Sequence, residues 1–524
     1  MTQDEAEIHD KRWFILGVLC LSLLLIVLDN SIVNVALPTL QRELTASTSQ
    51  LQWVVDAYTL VFAGLLLTAG SLGDKFGRKG ALQFGLTVMG LGALASSFAT
   101  SADQLVLTRA FMGVGAAFIM PATLSILTNA FINPRERARA IAVWAGFAGA
   151  GAALGPLTGG LLLEHFYWGA IFLVNVPVIV TALVAGAFVL PTSRDEHAPR
   201  LDVPGALLSI AGLVTLVWAI IEAGAEGFTD SAVLQGFFVA AVFLTAFMIR
   251  EWRTDHPMLD VNFFRRPRFS GASAAVALTF FAMFGALFLL TQYLQLVLGY
   301  DPLQTGVRLL PMAITMMIVA PNSARLVERF GTKVVVGTGL LITSTGLLLC
   351  TSLTPDSGYA PVALRLVWFA VGMGLTMAPA TESIMGSLPR AKAGVGSAVN
   401  DTTRQVGGAL GVAVLGSILA SKYAAGVEAF FAGSNAPPRM VTAASNRLAA
   451  ALNIEGGPPG LANAAKAAFV DGMSAGLLLA SFVAAVGAVI VFAFLPARAP
   501  DHVPEVRVAE PVAEPGAAEA YSTR

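Results

Sequence analysis

Three ionisable residues lie in stretches of this chain that otherwise hold almost nothing but apolar side chains. Asp29 follows the run Leu23-Leu-Leu-Ile-Val-Leu28, Asp56 follows Trp53-Val-Val55, and Arg109 sits in Leu105-Val-Leu-Thr-Arg109. An isolated charge in hydrocarbon costs roughly 2.5–3.5 kcal/mol even on lenient insertion scales, so such residues mark ion or substrate paths. One arginine holds one of two carboxylates ionised, while the other, desolvated, has its affinity for a proton raised. Asp29, Asp56 and Arg109 together could therefore take up and release a proton. A second set is Glu382, Asp401 and Arg404. Asp401 and Arg404 are three apart and share a helix face, so they read either as a structural ion pair or as a site for protons or a cation.

The elements that position these residues are membrane helices. The chain is 56% hydrophobic and 12% charged, against roughly 25% charged in soluble domains. A net charge of -1 and the lack of a basic tract argue against nucleic acid. Cys20 and Cys350 both fall in apolar runs, as core filler rather than a disulfide. Crossing about 30 Å of hydrocarbon takes roughly 20 apolar residues. Runs of that length fall near 13–37, 51–71, 80–99, 104–130, 140–163, 168–190, 204–223 and 232–250, then 270–298, 304–324, 333–352, 361–382, 394–420 and 471–496. With the N-terminus inside, the inner loops and tails hold about 23 of the 32 Lys and Arg residues, and the positive-inside rule places both termini in the cytoplasm. Asp29 then lies about 24 Å from the inner surface, at 1.5 Å per residue. Asp56 and Arg109 share its depth in the outer half.

Two basic loops divide the spans. Gly70-Ser-Leu-Gly73-Asp74-Lys-Phe-Gly77-Arg78-Lys79 follows span 2, and a near-copy, Arg325-Leu-Val-Glu-Arg-Phe-Gly-Thr-Lys333, follows span 10. A transporter of two related halves has its site between them near the bilayer midplane. The expected plan is a cytoplasmic N-terminus (1–12), a six-helix bundle (13–190), two inserted spans with their flanking loops (191–269), a second six-helix bundle (270–496) and a disordered cytoplasmic tail (497–524). The outer loop 421–470 reads as a helical cap or hairpin. Asp74, in a glycine-flanked turn, is placed to bond the exposed amides of another helix's N-terminus and so latch the halves on the inner side. In span 5, Gly146, Gly149, Gly151, Gly155, Gly159 and Gly160 surround Pro156, a small-residue stripe that lets a second helix approach closely, with a proline that permits a bend. No phosphate-binding loop, nucleophile–base pair or metal-ligand cluster is legible.

The loop at Gly70–Lys79 resembles the signature loop of the major facilitator superfamily. Leu28-Asp-Asn-Ser-Ile-Val-Asn-Val-Ala-Leu-Pro38 resembles the first-span motif of its fourteen-span drug:proton antiporter branch, and Gly151-Ala-Ala-Leu-Gly-Pro-Leu-Thr-Gly-Gly160 the fifth-span motif of exporters. The segment 395–416 around Asp401 is similar to quaternary-ammonium and dye exporters. The resemblance implies an all-α major facilitator fold with fourteen helices arranged 6+2+6. It implies a proton-driven exporter of amphipathic, cationic compounds in the plasma membrane, working as a monomer with no cofactor but the coupling proton. Asp29 and Arg109 would serve proton coupling. Asp56, Glu382 and Asp401 would meet protons or substrate, and Asp74 and Arg78 would latch onto the start of span 13 near Gly394. Two positions depart from the family pattern: Met112 stands where a glutamine is usual in span 4, and Thr332 replaces in the second loop the arginine of the first. Export of a native lipid or secondary metabolite, or a non-transporting sensor on the same scaffold, are the alternatives.

Overall fold

A computed structural model of the chain describes residues 3–46, 48–194, 202–254, 257–432, 436–446, 448–454 and 457–496. The tail 497–524 lies outside the described residues. The long helices are α1 (Gln3–Glu43), α2 (Thr48–Phe76), α3 (Arg78–Ser97), α4 (Ala102–Ala130), α5 (Pro134–His165), α6 (Asn175–Val189) and α7 (Val203–Glu226). They continue as α8 (Ser231–Arg253), α9 (Pro267–Gln292), α10 (Pro302–Phe330), α11 (Thr332–Cys350), α12 (Tyr359–Met385), α13 (Ala393–Phe431) and α14 (Leu461–Phe494).

Thirteen of the spans that these helices make among the described residues are long and apolar enough to cross a membrane. The helix missing from that count is α5. Its stretch 141–158 is nonetheless uncharged and mostly apolar, and it packs on protein along both sides, between α1 and α10.

Local chemistry sets the helix starts. Ser101, Asp230 and Asp301 cap α4, α8 and α10 by accepting from backbone amides of the first turn. Asn133 caps α5 ahead of Pro134, whose missing N–H costs nothing at that position. The run expected at 168–190 is broken in two, a single turn Ala170–Leu173 and then α6. Pro177 explains the break, since a proline ring clashes with the carbonyl four residues back, here that of Leu173.

The buried core falls almost entirely into two clusters, one of residues 15–190 and one of residues 206–495. Each is the interior of a helical bundle. The bundles meet along two seams, α2 and α4 against α13, and α5 against α10 and α12. The pair α7–α8 lies over the first seam, with α7 touching both α2 and α13. Leu60 and Ala63 of α2 pack there against Val217.

Helices α13 and α14 run well past the expected spans. At 39 and 34 residues they exceed a bilayer core of about 30 Å, given 1.5 Å per residue. Their overhanging ends pack together, and the short helices Pro438–Asn446 and Leu448–Leu452 close the connection. Tyr423 ties this cap down by donating to the Ala444 carbonyl at 2.8 Å.

Candidate functional site

Asp29 and Arg109 form one buried pair inside the first bundle. Asp29 is 1% exposed and Arg109 0%. Arg109 Nη1 donates to Asp29 Oδ2 at 2.5 Å, and Asn175 Nδ2 donates to Asp29 Oδ1 at 2.8 Å. The arginine also donates from Nε to the Val54 carbonyl at 3.2 Å, and its guanidinium carbon lies 4.3 Å from the Tyr58 ring centroid. Four helices, α1, α2, α4 and α6, thus converge on one charge pair. Sequence reasoning missed Asn175, although a lone asparagine two residues before the helix-breaking Pro177 was a usable signal.

Among the described residues, the hydrogen bonds of this pair run to Val54 and Asn175 and none to Asp56. Val54 and Tyr58, four apart, present one face of α2 to Arg109, and residues two apart on a helix face different ways. Asp56 is instead in register with Leu60 and Ala63, the stripe that α7 covers.

The glycines of α5 grip α1 beside Asp29. A Cβ on Gly151 would stand 2.9 Å from Val27, one on Gly155 would collide with Ser31, and one on Gly159 would meet Ile32 at 3.5 Å. The other side of α5 seats on the second bundle, where Gly149 faces Met316 at 3.5 Å and Gly160 faces Leu303 at 3.5 Å. The bend assigned to Pro156 rests on a side chain outside the described residues.

At the far end of α2, Asp74 joins the bundles. Its Oδ1 accepts from the amide of Gly394 at 3.0 Å and its Oδ2 from that of Val395 at 3.1 Å, both in the first turn of α13. Free amides and the helix dipole make such a terminus a natural carboxylate site. Arg78 donates to Asp74 at 2.7 Å and to the Ala391 carbonyl at 2.9 Å. Gly70 brings the backbones this close, because a Cβ there would lie 2.6 Å from the Gly394 carbonyl oxygen. Gly73 has room for one, with Ala81 3.4 Å away, and Gly77 turns the chain with φ +116°. Lys79 donates to the Ala187 carbonyl in the last turn of α6.

Glu382 belongs to the same end of the molecule. Arg137 of α5 donates to it at 2.7 and 3.0 Å, a second bridge between bundles that the sequence did not reveal. Near it Arg139 and Glu328 pair at 3.6 Å. Among the described residues the ion pairs between bundles, Arg137–Glu382 and Arg139–Glu328, both lie at this basic end.

Asp401 and Arg404 are buried deeper along α13 and are poorly matched to each other. Arg404 Nη1 is 3.9 Å from Asp401 Oδ1, beyond hydrogen-bond reach. Ser397 and Asn400 donate to Asp401 at 3.3 Å each, and Arg404 Nη2 donates to Thr381 at 3.1 Å. The guanidinium carbon lies 5.2 Å from the Trp144 ring and 5.1 Å from the Phe280 ring.

Known proteins are similar to this chain in sequence and fold. Residues 19–412 match the sequence model of the Major Facilitator Superfamily. The multidrug efflux pump LfrA of Mycolicibacterium smegmatis is 35% identical over 490 residues, spanning 92% of this chain and 96% of that protein. The tetracenomycin C resistance and export protein of Streptomyces glaucescens is 34% identical, spanning 95% of this chain and 94% of that one. Methyl viologen resistance protein SmvA of Salmonella typhimurium is 32% identical over 80% of this chain and 84% of its own. The fold also matches the crystal structure of the human organic anion transporter MFSD10 (TETRAN), with a TM-score of 0.60 at 15% identity, over 90% of this chain and 99% of that one. With two helical bundles and relatives that are efflux and resistance transporters, this multi-pass membrane protein is a transporter rather than an enzyme, and it belongs to the Major Facilitator Superfamily.

Proposed function

We propose that the chain is a proton-driven exporter of amphipathic cationic compounds, working by alternating access. The observation that carries this reading is the buried Asp29–Arg109 pair, held on four helices and wedged beside the α1–α5 glycine contact. A proton on Asp29 competes with the guanidinium for the same carboxylate. Loss of the ion pair leaves Arg109 to be rebalanced by Val54 and Tyr58 on α2. The other end of α2 carries Asp74, about 30 Å away along the helix axis. A change at the pair is thus coupled to the latch through one rigid helix, and to α10 through α5. The basic end is the cytoplasmic one on this reading, so the structure represents a state closed to the cytoplasm, with both termini on the cytoplasmic side of the plasma membrane.

Helix α5 counts as the fourteenth span, giving a 6+2+6 arrangement. Its uncharged stretch 141–158 is long enough to cross, and α1 and α10 pack along it. A monomer suffices, because the pair, the bridges and Asp401 are completed within one chain.

The test is an efflux and resistance panel of cationic, neutral and anionic compounds in cells with and without an uncoupler. The reading expects uncoupler-sensitive efflux of lipophilic cations; a preference for neutral or anionic compounds would contradict the cationic assignment. Export of a native small molecule is the second reading, favoured by the relative named for tetracenomycin C resistance and export. Metabolite and lipid profiles of a deletion strain separate the two. Reporter fusions to both termini test the orientation.

A further inference from the structure

Arg404 lies against two aromatic faces and makes no hydrogen bond to its own carboxylate. Its guanidinium lies 3.9 Å from Asp401, whereas a committed arginine–carboxylate pair closes to about 2.7–2.9 Å, usually through two parallel bonds. What surrounds the cation is Trp144 from the first bundle and Phe280 from the second, each ring within the reach of a cation–π contact. All three side chains are buried, and Trp144 is fully so. Arg404 Nε, Trp144 Nε1 and Asn400 Oδ1 are buried with no hydrogen-bond partner. Unpaired buried polar atoms are costly, and a cluster of three marks a place that is not at its best with the groups now in it. Asp401 is also underused, taking only two long bonds of 3.3 Å from Ser397 and Asn400.

The parts of this cluster come from different rigid bodies. Trp144 rides on α5, Phe280 on α9, and Asp401 with Arg404 on α13. Separation of the bundles therefore takes one wall away from the other. A ring face from each bundle, with a buried carboxylate 3.9 Å from the cation they flank, makes a receptor for a delocalised organic cation, which loses little hydration on entering.

We propose that Trp144, Phe280 and Asp401 form the subsite for the charged group of a lipophilic monocation, and that Arg404 fills it as an internal stand-in when the basic end is closed. This rests on the cation-export reading. The guanidinium and the substrate are alternatives for one place, so arrival of a substrate cation expels Arg404 from between the rings. The side chain then retains Thr381 as its partner.

The experiment is isothermal titration calorimetry of the purified full chain with tetraphenylphosphonium. Arg404→Gln removes the stand-in and is expected to tighten binding about tenfold, which is the scale of one cation–π contact with loss of like-charge repulsion. Adding Trp144→Leu to that variant is expected to cancel the gain. If Arg404→Gln does not yield folded protein, Arg404→Lys carries the test. Its shorter, compact ammonium covers the rings less, and binding should tighten about threefold. Unchanged or weaker binding in the folded arginine variants, with wild-type binding intact, overturns the stand-in alone. Wild-type protein that neither binds nor exports tetraphenylphosphonium overturns the cation-export reading along with it.

Discussion

The two basic loops turn alike and are wired differently. Gly77 and Gly331, with φ +116° and +83°, each redirect the chain from one long helix into the next. Asp74 and Glu328 stand three residues before those glycines. Asp74 is buried, doubly bonded to the start of α13 and clamped by Arg78. Glu328 meets Arg139 at 3.6 Å, with the two side chains 35% and 48% exposed. Two substitutions account for the gap. Thr332 stands where Arg78 does, and Ala324 occupies the position of Gly70, whose missing Cβ lets α2 touch α13. The lesson is that the charge pattern of the loop does not make a latch. The close helix crossing does, and the carboxylate then exploits the amides that the crossing brings near.

That contrast predicts a hierarchy of effects on dye efflux, measured in cells with matched expression. Asp74→Ala should have the largest effect, slowing efflux about tenfold or more, since removing one partner of a buried charged pair costs about 3–5 kcal/mol. Efflux within a factor of two of wild type would break the comparison at its strong end. Glu382→Gln comes next, at roughly threefold to fivefold, because its bridge to Arg137 is only partly buried and charge-assisted bonds of that kind contribute about 1.5–3 kcal/mol. Thr332→Arg would supply the missing clamp to the second loop, and a change of about twofold is expected at low ionic strength, fading as salt screens the exposed pair. Persistence of the full effect in high salt would mean that Glu328 is more buried in the working cycle than in this state. Glu328→Ala should change efflux least, by less than about twofold, as befits an exposed pair.

Much of this was legible in the sequence, for identifiable reasons. Apolar run length located the spans because hydrocarbon thickness leaves little choice, and the lone Asp29 and Arg109 stood out because charge is expensive there. The position of Asp74 between glycines pointed at a helix terminus. What stayed hidden were contacts between elements far apart in sequence. Arg137 reads as one more loop arginine until α12 brings Glu382 beside it. Trp144 and Phe280 read as ordinary apolar residues until Arg404 is found between them. Asp56 shares the depth of the pair, and depth in the membrane does not by itself say which face of α2 a side chain occupies. The helical cap at 421–470 was visible only as breaks and alanines, and its helices continue α13 and α14 beyond any span a hydropathy window would draw.

The central claim is that proton entry at Asp29 drives export, and one measurement addresses it most directly. Purified wild-type and Asp29→Asn proteins are reconstituted in liposomes carrying an imposed pH gradient, and uphill movement of a lipophilic cation is followed together with proton flux. The account predicts substrate-driven proton movement and uphill accumulation with wild type. With Asp29→Asn it predicts only downhill exchange and no proton flux. Uphill accumulation by Asp29→Asn at the wild-type rate would contradict it.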